Sequence, residues 1–105
     1  MKLDILAFGA HPDDVELGAA ATIAKEISLG KKVGIIDLTQ GELGTRGSKE
    51  LRKVEASNAA AILGVTVREN LKFADGFFIN DKEHQLEVIK SIRKYKPEIV
   101  LCNAV

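Results

Sequence analysis

Four short apolar runs alternate with three helical segments along this chain, and that alternation constrains its fold more than any other feature. Residues 3–9 (LDILAFG) form the first run, ended by glycine. Residues 33–38 (VGIIDL) form the second and residues 98–102 (EIVLC) the last. Nearly continuous apolar runs of this length suit strands buried on both faces of a parallel sheet. Residues 65–73 (VTVRENLKF) alternate apolar and charged positions, as an edge strand does. Between the runs, residues 14–29, 49–63 and 82–95 carry helical patterns. In the first, Leu17, Ala20, Ala21, Ala24 and Ile27 predict the buried stripe; in the third, Leu86, Ile89 and Ile92 do. Gly30 and Gly64 stand at helix stops, Ser48 at a helix start, and Pro97 blocks continuation of the third helix. The order β-α-β-α-β-α-β implies right-handed crossovers and a parallel α/β sheet.

Composition narrows the function classes. A length of 105 residues fits one domain at most. Lys and Arg number 15, matched by 15 Asp and Glu, so the net charge is zero. A general nucleic-acid binder would carry a basic excess. The two signs are interspersed, which disfavours a polybasic membrane patch. No apolar stretch reaches the roughly 18–20 residues that span a bilayer. The single cysteine, Cys102, cannot form an internal disulfide, and a reducing, cytoplasmic setting is expected. These points leave a cytoplasmic α/β domain. The last apolar run is followed by three residues and no helix, so residues 1–105 read as a single domain that is the N-terminal part of a longer one.

The stretch Gly9-Ala10-His11-Pro12-Asp13-Asp14-Val15-Glu16 lies between the first strand and the first helix. Open α/β sheets place their sites at such carboxyl ends of strands. His11 and Asp14 can converge from one turn, and imidazole and carboxylate are both zinc ligands. Asp13 stands beside them as a candidate base. From residue types alone the same string also reads as a turn with Asp13 or Asp14 capping the helix. Glu16 is either an orienter of a ligand or a first-turn carboxylate favoured by the helix dipole. The loop 39–48 (TQGELGTRGS) is Gly-rich and longer than usual connections, as functional loops often are. His84 reads as a surface residue, and Cys102 as a small buried thiol. G-x-G-x-x-G is absent after the first strand, which disfavours a nicotinamide cofactor.

The string AHPDDVELG resembles the signature of the PIG-L/LmbE-like zinc-dependent N-acetylglucosaminyl deacetylases. QGELGTRGS, KELRKVEASNAAAILGV and NLKFADGFF resemble that family's next segments in order. The GTRG loop is most similar to the bacillithiol-biosynthesis branch, which deacetylates N-acetylglucosaminyl-malate. The resemblance implies a three-layer α/β/α Rossmann-like sandwich with strand order 3-2-1-4 in the part present. It implies that His11 and Asp14 bind Zn²⁺ (Fe²⁺ being another candidate), that Asp13 is the general base and that Arg46 holds substrate. It places a third ligand, a histidine, after the last strand, and it implies a homo-oligomer. Read without it, Arg46 is more simply a solvated loop charge. Two other functions stay open: a non-catalytic Rossmann-like fragment that self-associates, and a metal-dependent deacetylase of another GlcNAc-type substrate.

Overall fold

The computed structural model describes residues 1–44 and 47–102. Along the chain run β1 (Ile5–Gly9), α1 (Asp14–Ser28), β2 (Val33–Thr39), α2 (Lys49–Leu63), β3 (Val67–Phe73), α3 (Lys82–Tyr95) and β4 (Ile99–Cys102). The four strands form one parallel sheet in the order β3-β2-β1-β4. This is the expected topology, with β3 at an edge. β1 is central: Ile5 lies opposite both Val33 and Ile99. Every residue of β1 is buried, which explains why its apolar pattern is unbroken rather than alternating.

Alternate residues of β1 serve two separate cores. Ile5 and Ala7 pack with Val33, Ile35, Val15 and Ile23 on the α1 side. Leu6 and Phe8 pack with Leu3, Ile36 and Tyr95 on the α3 side. Helices thus cover both faces of the sheet, as in a three-layer sandwich. Ile23, Ile35 and Ile36 are fully enclosed, and truncating one to alanine removes about 2–5 kcal/mol.

The helices face the sheet differently from the stripes read in the sequence. In α1, Val15, Ala19, Ile23 and Ile27 meet the sheet, whereas Leu17 is 86% exposed. Two interleaved i, i+4 rows exist in this Ala-rich helix, and the row starting at Val15 carries the β-branched residues that fill the core. In α3, Val88, Ile92 and Tyr95 pack inward, while Leu86 and Ile89 are exposed. Cys102 is exposed rather than buried, because β4 is the other edge strand.

The carboxyl end of β1 is held tightly. Gly9 lies where a Cβ would come within 3.1 Å of both Asp14 and Val15, so α1 can start directly against the strand. The Thr39 amide and hydroxyl both donate to the Ala10 carbonyl, at 3.1 and 2.9 Å. That double bond fixes the segment leading into His11 against the end of β2. No helix among the described residues is long and apolar enough to cross a membrane.

Candidate active site

The turn after β1 closes on itself. The His11 amide donates to Asp14 Oδ2 at 2.9 Å, and the Asp14 amide donates to the His11 carbonyl at 3.2 Å. Asp13 occupies the N-cap position with φ 94°, a left-handed conformation rare for a residue with a side chain. Its side chain makes no cap bond and is exposed. Asp14 likewise caps nothing in α1, since Oδ2 bonds backward to His11. Neither aspartate therefore acts as the helix cap that residue types alone allow.

The partner that orients His11 comes from 64 residues away. Asp75, in the connection after β3, receives His11 Nε2 at 2.7 Å. Asp75 is 6% exposed. Its other oxygen accepts the Leu43 amide at 2.9 Å, and its own amide donates to Glu42 at 3.2 Å. The Leu43 N–H, then the bond and charge of His11 and the nearby charge of Arg52, hold the Asp75 carboxyl below its usual range. An ionised carboxylate only accepts, so Nε2 carries a proton toward it, and the ring in its neutral form would present the Nδ1 lone pair. Nδ1 stands 3.5 Å from Asp14 Oδ2.

This donor set fits a small divalent cation. Two ligand atoms on one tetrahedral zinc, each at about 2.0–2.1 Å, are about 3.4 Å apart. The Nδ1–Oδ2 gap matches that spacing. A metal-bound histidine commonly gives its other N–H to a carboxylate, the part Asp75 can play. Among the described residues no group of three His, Cys, Asp or Glu side chains converges, so the pair is an incomplete set.

Three side chains here escape a reading of the sequence. Asp75 sits in an ADG string that looks only like turn chemistry, and nothing local announces its bond to His11. Arg52, on the first turns of α2, lies against Gly41 and Gly44; a side chain at Gly44 would occupy the space of its guanidinium. The glycines of the loop are therefore partly there to admit this arginine. Arg68 on β3 is the third. It grips Asp37 with Nε and Nη2 at 2.8 and 2.9 Å and reaches Glu16 at 3.0 Å. Burial pushes the Asp37 carboxyl up from its ordinary range, and Arg68 opposes that shift. Glu16 thus bonds to Arg68 and not to a ligand, tying the first turn of α1 to β2 and β3. The fork is nearly closed to water, and removing Arg68 would strand buried acids at a cost of about 3–5 kcal/mol.

Arg46 lies outside the described residues. His84 is half-buried rather than on the surface: its ring meets Phe73 edge-on at 4.5 Å, and Nδ1 lies 2.6 Å from Asp81. It is remote from the His11 cluster in its bonding and shares none of its partners.

The family model for PIG-L, the GlcNAc-PI de-N-acetylases, matches residues 6–104. This chain belongs to the PIG-L family. An uncharacterized deacetylase, YaiS of Escherichia coli, is 44% identical over 71 residues, covering 68% of this chain and 38% of the relative. Diacetylchitobiose deacetylase of Thermococcus kodakarensis is 35% identical over 104 residues, 92% of this chain and 39% of the relative. The crystal structure of the conserved protein TT1542 from Thermus thermophilus superposes with a TM-score of 0.88 at 41% identity, covering 93% of this chain and 44% of that one. The chain thus spans about two fifths of the length of these curated relatives. The matched family model is described as a GlcNAc-PI de-N-acetylase, and both of these curated relatives are named as deacetylases.

Proposed function

We propose that the protein containing this chain is a zinc-dependent hydrolase that removes the acetyl group from an N-acetylglucosaminyl conjugate, such as N-acetylglucosaminyl-malate in bacillithiol biosynthesis. One observation carries the reading: His11 and Asp14 offer donor atoms at the spacing of two ligands on one cation, with the far nitrogen of His11 fixed by buried Asp75. His11 and Asp14 would hold the metal, with a third ligand supplied from outside the described residues. Ferrous iron suits the same donors.

When bound, the metal supplies Lewis acidity, making water a nucleophile near neutral pH and drawing charge from the acetyl carbonyl. The chain's own residues do the rest. Asp13, exposed beside the pair and bonded to no cap, takes the proton of the attacking water. The proton that the departing sugar amine needs comes from this same carboxylate or from a group outside the described residues. Asp75 keeps His11 in one tautomer throughout. Arg68, through Glu16 and Asp37, holds the first turn of α1 in register with the end of β2. Arg46 grips an acidic part of the substrate by a bidentate fork. A homo-oligomer, as the family resemblance implies, is the assembly this reading expects. The balanced charge and the lone cysteine support a cytoplasmic enzyme.

The test is amine release by the full-length protein from N-acetylglucosaminyl-malate, diacetylchitobiose and free N-acetylglucosamine, before and after chelation. The proposal expects turnover highest on the malate conjugate, lost on chelation and restored by zinc or ferrous iron. Turnover that survives complete metal removal, or none on any of the three with metal bound, contradicts it. Preference for diacetylchitobiose moves the enzyme to another GlcNAc-type substrate.

A further inference from the structure

Helix α2 turns small side chains toward the sheet and larger apolar ones outward. Its outward side shows Leu51, Val54 and Ile62, 48%, 55% and 85% exposed. Lys49 and Lys53, both exposed at its rim, wall with Ala56 and Ala60 a cavity of about 490 Å³ against β2 and β3. That size lies within the range of about 300–1,000 Å³ typical of small-molecule sites. The cavity reaches Pro12, the residue between His11 and Asp13, so it adjoins the candidate active site.

A third lysine enters from the sheet. Lys72 lines the same cavity from β3 at φ 58°, another left-handed residue that is not glycine. It lies where the β2–β3 register shifts, and its amide is held by Asn70 Oδ1 at 2.7 Å. Bulges of this kind re-aim a side chain, and backbone strain of this kind persists only where the surroundings enforce it.

The negative groups in the wall are already used. Asp37 is gripped by Arg68, and Glu69 is bonded by Lys94 and the Tyr95 hydroxyl. Among the described residues, the ion pairs involve none of Lys49, Lys53 and Lys72. The cavity therefore has an excess of positive charge inside a protein whose overall charge is zero.

We propose that this cavity is a subsite for an anionic group, a carboxylate or a phosphate, carried by the substrate beyond its N-acetyl sugar. The inference rests on the deacetylase reading for its substrate but on the three lysines for its chemistry. Lysine rather than arginine fits a group recognised as a point charge, separate from the carboxylate assigned to the Arg46 fork. The subsite selects charged conjugates over neutral oligosaccharides that offer the same amide.

The experiment compares the full-length protein with its Lys53→Gln/Lys72→Gln variant; both residues are exposed, so the fold is retained. Malate and inorganic phosphate are titrated separately into each. Steady-state rates are measured on N-acetylglucosaminyl-malate and on neutral diacetylchitobiose. Losing two charged contacts should raise KM for the charged substrate by about tenfold or more and leave the neutral one unchanged. Binding of malate alone identifies a carboxylate subsite, and binding of phosphate alone a phosphate subsite. Lys53→Glu should weaken either further. Unchanged binding of both probes in the variants, or an equal rise in KM for both substrates, overturns the proposal. Lysine-dependent anion binding with no turnover of either substrate overturns the deacetylase reading and leaves the subsite standing.

Discussion

Two histidines in this chain each have an aspartate three residues away, and only one of the pairs has the makings of a reactive site. His84 follows Asp81, which caps α3 by accepting the His84 amide at 3.0 Å. The same oxygen takes His84 Nδ1 at 2.6 Å, and the ring packs on Phe73. Its nearer nitrogen is spent on the cap, and its flat body is spent on packing. His11 precedes Asp14, and here the local bond runs from the backbone amide, not the ring. The ring is instead held by its far nitrogen on Asp75, which leaves Nδ1 facing Asp14 across 3.5 Å. The local spacing is alike in both places. What separates a helix cap from a candidate metal pair is a buried carboxylate supplied by a distant loop.

The sharpest way to break this comparison is to delete each ring in turn. His11→Ala should abolish tight metal binding and turnover in the full-length protein. His84→Ala should leave both intact and lower stability by about 1 kcal/mol through lost aromatic packing. Equal losses of metal from the two variants would erase the distinction. Asp13→Asn comes next: metal content is expected to stay at the wild-type level while kcat falls about 10²–10⁴-fold, the usual worth of a positioned base. Full activity in that variant would remove Asp13 from its role. For the carboxylate that orients the ring, Asp75→Asn should weaken metal affinity by about 10–100-fold, as loss of such partners does elsewhere. An asparagine can offer Nε2 an acceptor but cannot hold one tautomer by charge.

The smallest expected effect is on pH dependence. The His84 amide, and then its ring, hold the Asp81 carboxyl below its ordinary value of 3.8. A depressed acid stabilises the fold fully above its unfolded value and loses that contribution as pH falls through the folded one. Stability should therefore drop on acidification below 3.8, and Asp81→Asn should flatten that limb without altering metal binding. Denaturant melts between pH 2 and 6 measure it.

Much of this architecture is legible from residue patterns. Unbroken apolar runs mark β1 and β2 because both of their faces are covered, and the polar alternation of β3 marks its edge. The helix faces are less legible. In α1 the alanines make two stripes look equally apolar, and only the core on the other side decides between them. The turn at His11 announces itself through its string of ligand types. Its second tier does not, since the bond to Asp75 and the fork of Arg68 onto Asp37 and Glu16 join positions 64, 31 and 52 residues apart. Arg52 is hidden for the same reason, because its place over Gly41 and Gly44 depends on how α2 meets the loop.

The most direct test of the account is a proton–nitrogen correlation spectrum of the histidine rings in the full-length protein during a zinc titration. The account predicts that His11 takes the metal through Nδ1, keeps its proton on Nε2 toward Asp75, and that the His84 ring signals do not move. Metal on Nε2 of His11, or zinc binding that leaves the His11 ring unperturbed, would contradict it.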